Sequence, residues 1–88
     1  MLLNSLDERD NMVTMKNIRR IDNVISMDCY AEGKEEGHFY LELDETTCEI
    51  ITNSLSEMNA YVFQAWQKIR EYVQEGKELP DRTISMWY

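Results

Sequence analysis

From Leu55 to Val73 the apolar residues Leu55, Met58, Val62, Ala65, Trp66, Ile69, Tyr72 and Val73 recur three and four apart, the strongest periodic signal in the chain. Glu57, Gln64, Gln67, Lys68, Glu71 and Gln74 take the other side, so the segment reads as one long amphipathic helix with a single face to bury. Ser54-Leu55-Ser56-Glu57 ahead of it has the form of a capping box, with the Ser54 hydroxyl placed for the N3 amide and Glu57 for the return bond. Gly76 suits the position after the helix, and Pro80 lies where a helix could not continue. A lone helix cannot make a core, so the rest of the chain must supply the surface it packs on.

That surface is β. From Ile21 the period becomes two, with Ile21, Ile25, Met27, Cys29 and Ala31 on one side and Asp22, Ser26, Asp28 and Tyr30 on the other. Glu32 to Gly37 is a charged hairpin loop bracketed by glycines. His38 to Asp44 alternates again, with Phe39, Leu41 and Leu43 inward. Asp44 to Thr47 then connects to a third strand over Cys48–Thr52. Thr83 to Tyr88 reads as a last short strand, with Ile84 and Met86 facing in and Thr83, Ser85 and Trp87 out. The expected fold is α+β: a three-stranded antiparallel meander covered by one helix, with a fourth strand at an edge (βββαβ). Spatial order 3-2-1-4, the last strand joining the first in parallel, is expected, with 1-2-3-4 the alternative. Residues 1–16 lack a clear period and are expected to be a flexible or weakly helical leader to a single domain over 17–88. Translation starting at Met12 is a further expectation, because Glu8-Arg9-Asp10 is what purine-rich ribosome-binding DNA encodes when read in frame.

Keeping inward residues opposite inward residues pairs Cys29 with Leu41, Met27 with Leu43 and Ala31 with Phe39, and then Leu43 with Cys48 and Leu41 with Ile50. Cys29 and Cys48 then share the core face on the first and third strands, about 10 Å apart from strand spacing, too far for a disulfide. His38, the sole histidine, points away from Cys29, so neither a Cys-His dyad nor a zinc site is expected, and no cofactor is called for. The outward face is the candidate site. The same registers set Asp28 opposite Glu42 and Glu42 opposite Glu49, an acidic row, with Tyr30 opposite Tyr40 and Ile51 beside it. Like charges directly across a sheet cost up to about 1 kcal/mol a pair, so such a row suits a surface that meets a basic partner. Tyrosines beside it would supply contact area.

Charge points the same way. Seventeen acidic against nine basic residues give a net charge of −8, which repels phosphate backbones and disfavours direct nucleic-acid binding. The 88 residues bury only roughly 60 to 65% of their unfolded surface, leaving little for a deep pocket, so an enzyme is not expected. Neither a secretory n-region nor a membrane-length apolar run occurs, and two cysteines outside any framework fit a reducing compartment, so a cytoplasmic location is expected. The expected function is a small acidic non-enzymatic protein-binding module. In size, charge and helix-on-sheet build it resembles, in general character only, small acidic inhibitors of phage and mobile elements, anti-CRISPR proteins among them. That resemblance implies inhibition of a nucleic-acid-binding enzyme by mimicry of phosphate charge. The alternatives are a self-associating homodimer subunit using Phe63 and Trp87, and a small enzyme or ligand-binding domain.

Overall fold

The computed structural model describes residues 11–87. Five strands, β1 (Met12–Ile21), β2 (Val24–Ala31), β3 (His38–Asp44), β4 (Ile50–Asn53) and β5 (Thr83–Met86), form one sheet with a single helix, α1 (Ala60–Gln74). The sheet order is β4-β3-β2-β1-β5 and every neighbouring pair is antiparallel. The broad α+β expectation holds; the four-stranded order does not, because the chain makes one more strand.

That strand is β1, and it occupies residues 12–16 of the expected leader. Val13 and Met15 point into the core, Asn17 adopts φ 55° at a bulge, and after it Ile18 points inward. The bulge shifts the phase of the alternation by one residue and hides it from a period-two reading. Asn tolerates the left-handed backbone better than most residues, which is why the bulge falls there. Residues 1–10 of the expected leader lie outside the described residues.

The expected first strand ran straight through a turn. Asp22 and Asn23 have φ 52° and 67°, the paired left-handed geometry of a two-residue type I′ hairpin, and they join β1 to β2. This added reversal also sets the direction of β5, which pairs antiparallel to β1 through Val13–Ser85 and Met15–Thr83 instead of parallel to the strand at 24–31. Thr83 and Ser85 therefore share the inward face, and Ile84 and Met86 point outward, the reverse of the expectation.

The hairpin registers differ as well. β2 and β3 pair Cys29 with Phe39, Met27 with Leu41 and Ile25 with Leu43, two residues from the expected register. A slip of two leaves every side chain on its expected face and changes only its partner. The loop decides it: Lys34 N donates to Ala31 O at 3.1 Å, and a 3-10 turn over Glu35–Gly37 delivers His38 opposite Tyr30. Between β3 and β4, Leu43 pairs with Ile50 and Glu42 with Thr52, with an irregularity between them. Cys48 is not in a strand but in the turn, at φ 64°.

The helix starts later than the capping box implies. Asn59 is its N-cap, its Oδ1 accepting from Val62 N at 2.9 Å. Ser54 instead accepts the Tyr40 amide at 2.9 Å through its hydroxyl. Val62, Ala65 and Ile69 of α1 lie on Val13, Met15, Ile18, Ile25, Met27, Cys29, Phe39, Leu41 and Leu43 of the sheet, and this is the core. No helix is long and apolar enough to cross a membrane among the described residues.

Candidate interaction surface

Because α1 covers one face of the sheet, the opposite face has no layer packed on it among the described residues. Its side chains stand in cross-strand rows fixed by the registers. One row runs Thr52, Glu42, Ser26, Arg19; the next Tyr40, Asp28, Lys16; the next His38, Tyr30, Thr14, Ile84. Asp28, Tyr30, Tyr40 and Glu42, four of the six predicted contact residues, are thus brought together. Ile51, 52% exposed, lies at the margin, where it lines a groove of about 400 Å³ with Tyr40, Glu42, Ser26, Arg19 and Ile21.

The expected acidic row does not form. Glu42 faces Ser26 and Thr52, not Asp28 and Glu49, and Asp28 faces Tyr40 and Lys16. Glu49 is exposed before β4 and lines a different groove, with Cys48 and Trp66. Tyr30 faces His38 and not Tyr40, their rings 5.1 Å apart. β1 adds basic residues to this face: Lys16 Nζ sits 4.9 Å over the Tyr30 ring, and Arg19 donates to Asn17 O at 3.0 Å. Face for face, two cations accompany two carboxylates.

Neutral donors and one histidine hold those carboxylates in place. Asp28 accepts from Asn17 Nδ2 at 3.0 Å and bonds His38 Nε2 at 2.9 Å. The His38 bond, then that of Asn17, holds its carboxyl below the ordinary aspartate range. Glu42 accepts the Thr52 hydroxyl at 2.7 Å and the Tyr40 hydroxyl at 2.8 Å, and these lower its pKa in that order. The bond to Glu42 correspondingly raises Tyr40. Carboxyls held down in this way are ionised at neutral pH, and the tyrosines stay neutral. Burial pushes the Cys29 thiol up strongly, with the Asp28 charge adding to it.

Apolar groups frame this polar centre. Ile84, 40% exposed, and Met86, 73% exposed, extend the face past β1, and Thr14 between Tyr30 and Ile84 is only 3% exposed. Further carboxylates gather at the strand ends: Glu32, Glu35 and Glu36 in the β2–β3 loop, and at the opposite end Asp22 in the β1–β2 turn, Asp44 at the end of β3 and Glu45 just after it. Sequence reasoning missed Lys16, Arg19, Ile84 and Met86; the one signal for β1 was Asp22-Asn23 between two apolar runs.

The second predicted pair is not assembled. Phe63 is 40% exposed with its ring against Trp66, whereas Trp87 is half-buried, edge-on to Tyr61 at 5.6 Å and packed on the core. Among the described residues no group of three or more His, Cys, Asp or Glu could hold a metal ion. No family model matches this chain, and none of the curated proteins or solved structures compared with it matches either.

Proposed function

We propose that the chain is a non-enzymatic protein-binding module that docks through the uncovered face of its sheet. The observation that carries this reading is the face itself: Tyr30, Tyr40, Ile51, Ile84 and Met86 offer contact area around carboxylates already fixed by hydrogen bonds. Pre-ordered side chains lose less entropy on docking, and tyrosines with a methionine match the residue types favoured at interface cores. The partner is a protein with an apolar centre and a basic rim, because the docking face is near neutral and the acidic turns border it at both strand ends. A nucleic-acid-binding protein, inhibited by occupation of its basic surface, is the finer form of this reading. Rim charges act mainly on the rate of association, and central side chains on dissociation.

The test is capture from the source cell with the wild type and with Tyr40→Ala plus Met86→Ser, after both are shown to melt alike. A partner held by the wild type and lost by the variant, and released as salt rises, is expected. A captured set identical for both proteins refutes the face as the docking surface. Glu35→Lys plus Glu36→Lys should then slow association with the identified partner several-fold at low salt and matter little at high salt.

A further inference from the structure

A second surface, on the helix side of the sheet, has the features of a small-molecule site. Between α1 and the β3–β4 turn runs a groove of about 330 Å³, within the usual range for ligand pockets. Cys48, Ile50, Met58 and Trp66 give it apolar walls, and Arg70 supplies a cation. The Trp66 wall is fixed, since its indole Nε1 donates to Cys48 O at 2.6 Å.

Arg70 is the informative residue. Its guanidinium stacks 4.5 Å from the Trp66 ring centre, and its one hydrogen bond to another side chain, Nη2 to Gln67 Oε1, is long at 3.4 Å. Its Nε is buried without a partner. Arg20, Lys34 and Lys77 each pair with a carboxylate, whereas Arg70, like Lys16, Arg19, Lys68 and Arg82, makes no ion pair among the described residues; of these, Arg70 is the one that lines this groove. A guanidinium carries five N–H donors in a planar fork suited to a carboxylate; Arg70 lines the apolar groove, and with its Nε shielded from solvent the terminal Nη groups are the donors a ligand there would meet. The other polar groups there are Thr47, Gln74 and Glu49; the Glu49 carboxylate disfavours a ligand bearing a second negative charge.

We propose that this groove binds a small monoanionic carboxylate with an apolar body, the carboxylate on Arg70 and the body along Trp66, Ile50 and Met58. This site is separate from the docking face and stands or falls independently of it. The test is an NMR titration of the full chain with octanoate, kept below its micelle concentration, and in parallel with neutral octanamide. Saturable shifts of the Trp66 indole N–H and the Met58 methyl are expected, with the Trp87 indole as an unmoved internal control. Octanamide should bind about tenfold more weakly or worse, the loss of one charge-assisted contact. Arg70→Gln should weaken octanoate to the level of octanamide while leaving octanamide unchanged. Absence of saturation at millimolar octanoate, equal binding of the amide, or equal shifts at Trp87 would each overturn the proposal.

Discussion

Gly37 ends the β2–β3 loop where the chain passes close to Ala31. A Cβ built there would lie 2.6 Å from the Ala31 carbonyl oxygen and 3.0 Å from its Cβ. The obstacle is mainly backbone of a paired strand, which cannot swing aside as a flexible side chain would. Gly37→Ala is therefore expected to destabilise the fold by about 2 kcal/mol, measured as a lower urea midpoint at unchanged slope. Gly76→Ala is limited by its φ of 69° instead, as nothing lies within 4 Å of it. Asp28 makes a pH-dependent case. Its folded pKa is lowered by His38 first and Asn17 second, so its contribution is present above the unfolded value of about 3.9 and is lost as pH falls through the folded value. The group is partly exposed, so Asp28→Asn should cost under about 1 kcal/mol at neutral pH. Urea titrations of both proteins should show that gap close as pH falls below the unfolded aspartate value of about 3.9. A gap that persists unchanged in acid would mean the amide is penalised for some reason other than charge.

At the scale of elements, the parity of β2 and β3 was legible and their partners were not, whereas β5 came out in the reverse phase. Alternation in 24–31 and 38–44 placed Met27, Cys29, Phe39, Leu41 and Leu43 inward, and all are buried. Parity is indifferent to a slip of two, so the loop set the register, and with it the fate of the candidate site: Asp28 and Glu42 were assigned to the right face but to the wrong neighbours. β1 was missed because the Asn17 bulge breaks its period and Asp22-Asn23 lacks the glycine that usually announces a tight hairpin. The helix was legible from its apolar spacing at 62, 65 and 69, yet its start was not, since Ser54-x-x-Glu57 and Asn59 both satisfy simple capping preferences. The two can be told apart experimentally. Asn59→Ala should cost about 1 kcal/mol and expose the Val62 amide to hydrogen exchange. Ser54→Ala should leave Val62 protected and instead speed exchange at the Tyr40 amide, which loses the Ser54 hydroxyl as acceptor. Faster exchange at Val62 in the Ser54 variant would restore the capping box.

For the molecule as a whole, charge and connectivity pull in opposite directions. β1 joins the two halves of the sheet, contacting β2 along one edge and β5 along the other, and α1 lies against both β1 and β5. Against that cohesion stands a net charge of −8, with carboxylates gathered in turns at both strand ends and others, Glu71, Glu75 and Glu78, in and after the helix. The ion pairs Arg20–Glu45, Lys34–Glu32 and Lys77–Glu75 all have partly exposed side chains, and such pairs are worth about 0 to 1 kcal/mol each. Salt weakens these attractions and the self-repulsion together; with seventeen acidic residues against nine basic, repulsion is the larger sum. The melting temperature should therefore rise by a few degrees between about 10 mM and 150 mM sodium chloride, equivalent to roughly 0.5 kcal/mol for a domain of this size. Neutralising Glu35 and Glu36 together as glutamines should reproduce part of that rise at low salt and flatten the salt dependence. A melting temperature that falls over this range would instead assign the larger share to the ion pairs and place the net charge among features tolerated by the fold rather than opposed to it.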